Sequence, residues 1–296
     1  MLVTNPRYPD HTPLPDLDLS YNPLSFISSD AFANITRMRS LLLNRTQLTS
    51  IDHIVFPSNI KLMDLTYTEL DSISSIQVST PGYSTLKELY LSNNPLSNIS
   101  SEAFTNLTQV NKLEVTYTRL ESIDNVLFPS SIVYLYLEKN AISSIDALQF
   151  TDNDAISLKY LYLNNNPITF IAGDVFRNIT LLNRLELSST EITSIDHIIF
   201  PSRLGYIELE AGSIANISAI RFTNEDSINV WTLSLSGNPI TTCSSDVFVN
   251  MTALSTLEFK YAKLTSVDHI VFPSRLRSLR WQCMSKRCSP PAVSVE

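Results

Sequence analysis

The chain of 296 residues is 44% hydrophobic and 17% charged, the balance of a folded protein with a large core rather than of a disordered one. Its net charge of -8 has the wrong sign for a protein that works by neutralising phosphates, which excludes nucleic acid as a default partner. The five glycines never fall in a phosphate-cradling spacing, so nucleotide chemistry has no loop to use and no cofactor is expected.

Residues 1–13 are expected to form an N-terminal extension, proline-containing and without the apolar run of a secretory leader. No stretch approaches 18 apolar residues, so a membrane is expected to be met only through a segment absent from this chain. From Leu14 the pattern L-x-x-L-x-L recurs with conservative replacements, starting again at Met38, Ile60, Leu86, Val110, Ile132, Leu158, Leu182, Leu204, Val230, Leu254 and Leu276. The spacings cycle through 24, 22 and 26 residues, so three units add to 72 and the trio recurs four times. A unit of that size is too small to bury its own leucines, whereas stacked units share one continuous core. A solenoid is therefore expected over 14–288, followed by a patternless, proline-containing linker or tail at 289–296.

The longer form L-x-x-L-x-L-x-x-N-P-L stands at Leu86 to Leu96 and, with Ile at its end, at Leu158 to Ile168. In this pattern the chain resembles the leucine-rich-repeat family over roughly residues 14 to 285. The resemblance implies an α/β solenoid: a curved horseshoe with a parallel concave sheet, a mostly irregular or short-helical convex side, and about twelve repeats in a 24+22+26 cycle. Comparison of the four 72-residue copies assigns Leu17, Leu89, Leu161 and Leu233 to one inward column and Leu19, Leu91, Leu163 and Leu235 to the next. Two further columns, Phe32, Phe104, Phe176, Phe248 and Phe56, Phe128, Phe200, Phe272, fill the convex side of the core. Asn22, Asn94, Asn166 and Asn238 sit where the family uses an asparagine ladder, with Thr46, Thr68, Thr118 and Thr190 in that place elsewhere. Gly212 and Ala262 have no polar side chain, so the ladder is expected to be weakest there.

Outward positions of the inner sheet carry ten of the twelve tyrosines and none of the thirteen phenylalanines. Strand propensity favours both residues, so an aromatic ring with a polar tip is what these columns select, as interfaces do. The expected ligand-binding set is Tyr90, Tyr134, Tyr136, Tyr160, Tyr162 and Tyr206 as anchors, with Glu186 and Glu208 selecting positive charge and Arg184 setting register. The carboxylate pair also suggests a glycosidase in outline, but an open sheet offers no water-excluding pocket, and an enzyme is not expected.

Three histidines, His53, His197 and His269, recur in one element of the cycle. His53 and His197 lie six repeats apart, roughly 29 Å at about 4.8 Å per strand, too far to share a metal; a turn or cap role beside Asp52, Asp196 and Asp268 is expected. Cys243 follows Ile171 by 72 residues and reads as a buried, poorly reactive thiol. Extracellular relatives in the family often end in disulfide caps, and a Cys283–Cys288 bridge would close the open end of the stack here, although the family's multi-cysteine cap pattern is missing. Sequons stand at Asn34, Asn44, Asn98, Asn106, Asn178, Asn216 and Asn250, four of them one scaffold position repeated at 72 residues; they serve glycosylation in a secreted protein or local turns otherwise.

The resemblance to ectodomains of receptor-like kinases and receptor-like proteins implies an extracellular sensing module for a protein or peptide ligand, cationic in part, with no nucleic acid. An intracellular scaffold or regulatory repeat protein is the alternative. No H-R-D or D-F-G stretch occurs, so any kinase domain lies outside this chain.

Overall fold

The computed structural model describes residues 15–35 and 37–283. The chain divides into two compact units, the first formed by residues up to Ala141 together with Ala147–Ser157, the second by Ile142–Asp146 together with the residues from Leu158 onward.

In the first unit, Asp16–Asp18, Ser40–Leu42, Leu62–Asp64, Glu88–Tyr90, Lys112–Glu114 and Tyr134–Tyr136 pair in chain order as parallel strands. In the second, Tyr160–Tyr162, Arg184–Glu186, Tyr206–Glu208, Thr232–Ser234, Thr256–Ala262 and Ser278–Cys283 do the same. The register joins equivalent residues, Leu89 opposite Leu113 and Leu161 opposite Leu185. Alternation along each strand then sends one residue inward for two outward, and the inward rungs from Leu41 to Leu135 and from Leu161 to Leu257 are completely buried.

Behind the rungs, phenylalanines from neighbouring repeats stack in pairs, Phe32 on Phe56, Phe104 on Phe128, Phe176 on Phe200 and Phe248 on Phe272, with ring centroids 5.9–6.4 Å apart. The same contact recurs every 72 residues because the same pair of side chains does.

The expected short convex helices do not form: among the described residues the returns are turns and two-residue parallel ladders such as Val55–Phe56 with Gln77–Val78 and Ile199–Phe200 with Arg221–Phe222. The composition explains this. Segments such as Ile51–Phe56 carry β-branched residues and end at Pro57, which disfavours helix in the residue before it. Their amides are satisfied between repeats instead: Asp52 Oδ1 accepts from Ser74 N and Ser75 N, and Asp196 Oδ1 from Ser218 N and Ala219 N. The histidines complete the same device, with His53 Nε2 2.8 Å from Ile27 O, His197 Nε2 2.8 Å from Ile171 O and His269 Nε2 2.9 Å from Cys243 O.

The asparagine ladder is present and longer than its sequence signature. Asn94 Nδ2 donates to Leu91 O of its own turn and to Leu65 O of the preceding one, and Asn238 does the same to Leu235 O and Leu209 O. Asn140 joins them with bonds to Leu137 O and Val115 O. Because these side chains reach back one repeat, Gly212 is not a weak point: Asn238 Oδ1 accepts from Ile214 N in the Gly212 turn, and a Cβ on Gly212 would stand 2.8 Å from that oxygen. At Ala262 the chain solves the problem differently, by extending its strand over Thr256–Ala262 and pairing it through a bulge.

The expected extension at 1–13 and tail at 289–296 lie outside the described residues.

Candidate functional site

Each strand displays two outward residues, and the turn after it displays two more. The last of these, just before the ladder position, adopts a left-handed backbone in eleven of the described repeats: Tyr21, Arg45, Tyr67, Asn93, Tyr117 and Lys139 in the first unit, Asn165, Ser189, Ala211, Gly237 and Tyr261 in the second. All but one are non-glycine, each at a cost of about 1–2 kcal/mol, which the bonding of the turn overcomes.

In the first unit, tyrosine returns at every second repeat along that turn column, with Arg45, Asn93 and Lys139 between. The Arg45 guanidinium lies over both Tyr21 and Tyr67, 5.4 and 4.4 Å from the ring centroids, and Lys139 lies 4.3 Å over Tyr117 and donates to its hydroxyl. Tyr21 remains 72% exposed. On the strands beside it, Lys112 is 4.6 Å from the Tyr90 ring, 5.2 Å from the Tyr136 ring and 3.6 Å from Glu114. Tyr90 donates its hydroxyl to Glu88 at 2.5 Å, and desolvation, helped by that carboxylate, pushes its phenol above the usual range. Tyr134 pairs in register with Lys112, and Tyr136 with Glu114.

In the second unit, Tyr160, Arg184 and Tyr206 occupy one outward row and Tyr162, Glu186, Glu208, Ser234 and Glu258 the next. Arg184 stacks 3.7 Å over the Tyr206 ring and donates Nε to Glu186 Oε1 at 2.5 Å. Asn164 donates to the other Glu186 oxygen at 2.6 Å, and Glu186 is only 8% exposed. Its charge is thus already compensated. Glu208 differs: its oxygens accept from Ser188 Oγ at 2.8 Å and Tyr206 Oη at 2.6 Å, and Glu210 accepts from Ser234 Oγ, all neutral donors. Hydroxyls orient these two carboxylates without cancelling their charge. Desolvation and the Glu208 bond raise the Tyr206 phenol above its usual range.

The structure therefore brings together Tyr90, Tyr134 and Tyr136 on one strand face, and Tyr160, Tyr162, Arg184, Glu186, Tyr206 and Glu208 on another. Arg45, Lys112 and Lys139 belong with them although sequence reasoning passed over them. Their signal was available in their place beside tyrosines of adjoining repeats, visible only when repeats are aligned by position rather than read along the chain.

Among the sequons, Asn34, Asn98, Asn178, Asn216 and Asn250 are exposed, while Asn44 and Asn106 are half-buried. Cys243 is buried, and desolvation, with Asp196 nearby, pushes its thiol up to about 12. Cys288, and with it the expected bridge to Cys283, lies outside the described residues. Among the described residues no group of three or more histidines, cysteines and carboxylates could hold a metal ion, and no helix is long and apolar enough to cross a membrane.

A family model described as "Leucine rich repeat" matches residues 84–142, 130–192 and 156–214. The chain carries leucine-rich repeats over residues 84–214. It is similar to osteomodulin of Rattus norvegicus, 28% identical over an aligned length of 207, covering 67% of this chain and 46% of that protein. Tsukushi of Gallus gallus is 28% identical, covering 60% of this chain and 50% of its own length. The chain thus spans about half the length of these curated relatives. Among solved structures, an internalin from Listeria monocytogenes covers 95% of this chain and 87% of its own at 20% identity and a TM-score of 0.58. The Toll–Spatzle complex of Drosophila gives a TM-score of 0.68 at 16% identity, covering 85% of this chain and 33% of that one. At these identities the structures share the leucine-rich-repeat fold with this chain.

Proposed function

We propose that this leucine-rich-repeat chain is a protein- or peptide-recognition module of the extracellular space, the sensing part of a cell-surface receptor, and that it works by binding without chemistry. The observation that carries the reading is the outward tyrosine set: large amphipathic rings on short strands, held in place by cations and carboxylates of neighbouring repeats. Anchors of this kind bury much area while losing few rotors on binding. Glu208 and Glu210, oriented by hydroxyls alone, give the second unit a negative pole suited to a cationic group on the partner. Five exposed sequons fit an extracellular location, and the match to a chain in a complex titled for Toll and Spatzle fits a protein partner.

The test replaces Tyr160, Tyr162 and Tyr206 together by Ala in one variant, and Tyr134 and Tyr136 in another, and probes a panel of purified ectodomains with each. An anchor at an interface centre contributes about 2 kcal/mol or more, so a partner captured by the parent is expected to lose at least about thirtyfold in affinity to one variant while urea midpoints stay within experimental error. Undiminished capture, or a matching loss of stability, would show these tyrosines to be scaffold.

A further inference from the structure

The residues immediately before and after the first apolar position of each repeat line the edge where the chain enters the sheet. In the second unit they include Lys159, Arg203, Arg275 and Arg277, in the first Arg37, Arg39, Lys61 and Lys87, and in neither an Asp or Glu. This is the reverse of the whole chain, in which acids outnumber bases. The cations of the outward strand face behave differently: Lys112, Arg184, Lys260 and Arg280 each pair with a carboxylate, whereas among the described residues no edge cation forms an ion pair.

One place on this edge is also a cleft. Lys159, Asn183, Arg203, Asn229 and Trp231 line a space of about 510 Å³ in the second unit, together with Tyr160 and Leu181. Trp231 is 45% exposed although it is among the largest side chains in the protein. Its indole lies flat on Gly205, the residue at the same position one repeat earlier, so closely that a Cβ there would stand 1.9 Å from a ring carbon. Backbone bonds from Trp231 N and Thr232 N to Gly205 O fix the two repeats at 2.9 and 3.1 Å. Glycine provides the floor, and the indole keeps an apolar face at the surface between two unpaired cations and two amides.

We infer that this cleft binds an acidic glycan, a sugar chain carrying sulfate or carboxylate groups, with one pyranose ring packed on the Trp231 face, its charged neighbours on Lys159 and Arg203, and its hydroxyls on Asn183 and Asn229. A single-stranded nucleic acid would need successive stacking aromatics along a basic groove, and the cleft offers one indole flanked by amides. The equivalent edge of the first unit, around a space of about 690 Å³ bordered by Arg37, Arg39 and Lys61, carries charge without an aromatic floor, so it adds attraction but no ring selectivity. The choice of a glycan over other polyanions rests on the extracellular reading; the cleft shares Tyr160 with the tyrosine face but is otherwise built from other residues.

The experiment titrates the intact chain with a chondroitin sulfate octasaccharide at a series of salt concentrations. The parent is expected to bind, Trp231→Leu to bind at least about tenfold more weakly with an unchanged salt slope, and the Lys159→Ser, Arg203→Ser double variant to lose slope, by roughly 0.7 for each charge removed if the octasaccharide behaves as a flexible single-stranded polyanion. Gly205→Ala, which lifts the indole without removing charge, is expected to follow Trp231→Leu, and the Tyr134, Tyr136 double variant, which leaves the cleft lining intact, to bind like the parent. No binding by the parent near 0.15 M salt, parent-like binding by Trp231→Leu at unchanged thermal midpoint, or equal affinity for a single-stranded oligonucleotide of matched charge would overturn the inference.

Discussion

The two units build the same rungs and dress them differently. Leu89 and Leu161 are equally buried, each in register with a leucine of the next repeat, and the phenylalanine pairs behind them have nearly the same geometry. The left-handed turn column, by contrast, reads Tyr21, Arg45, Tyr67, Asn93, Tyr117, Lys139 in the first unit and Asn165, Ser189, Ala211, Gly237, Tyr261 in the second. The first unit carries aromatic and cationic groups in its turns as well as on its strands, the second mainly on its strands, where Arg184, Tyr206 and the carboxylates meet. Backbone and core are therefore indifferent to what the outward columns carry, and that indifference lets one scaffold present two unlike surfaces.

Equal scaffolds should fail equally. Leu89→Ala and Leu161→Ala each leave a cavity in a sealed rung and are expected to destabilise the chain by about 2–5 kcal/mol, measured by urea unfolding. A cost confined to one of them would break the equivalence of the units. Cys243 comes next. With its thiol pushed up to about 12 from an ordinary value of 9.0, the folded state holds the proton more firmly than the unfolded one. The associated stability is complete below pH 9 and is lost as pH rises toward 12. At neutral pH native Cys243 should resist iodoacetamide until the chain is unfolded in urea, and rapid native alkylation would contradict its burial.

Smaller effects sharpen the contrast on the outward face. Arg184→Ala strips Glu186, 8% exposed, of the cation paired with it among the described residues and is expected to cost about 1–3 kcal/mol. Lys112→Ala releases the half-exposed Glu114 and should cost less than about 1 kcal/mol. Thermal midpoints of the two variants decide it, and a reversed order would mean that burial does not set the worth of these pairs. Smallest of all, Ser189→Gly relieves a left-handed backbone and is expected to be neutral or stabilising by a few tenths of a kcal/mol. Arg45→Gly gains the same relief but forfeits its two tyrosine faces, so it should come out below Ser189→Gly.

Much of this was legible in the residues because one physical constraint, burial of a shared core, repeats every few positions. The leucine rungs, the phenylalanine columns and the outward tyrosines all follow from period alone. What period did not disclose depends on neighbours one repeat away. The support of the Gly212 turn by Asn238 is invisible at Gly212 itself, and the hold of Arg184 and Asn164 on Glu186 turns an expected cation selector into a compensated charge, leaving Glu208 and Glu210 as the open ones. The convex side misled for a different reason. Its β-branched residues and Pro57 oppose helix, and aspartates such as Asp52 and Asp196 bind the amides of the following repeat, a role that one repeat taken alone does not reveal.

Hydroxyl-radical footprinting of the native chain tests the central claim most directly, since tyrosine and phenylalanine rings differ here mainly in which way the repeat points them. Tyr21, Tyr67, Tyr117 and Tyr261 should be modified fastest, Tyr136 and Tyr162 at intermediate rates, and Phe56, Phe104, Phe176 and Phe200 hardly at all until the chain unfolds. Phenylalanines that react as fast as the tyrosines, or Tyr136 and Tyr162 as protected as the phenylalanines, would contradict it.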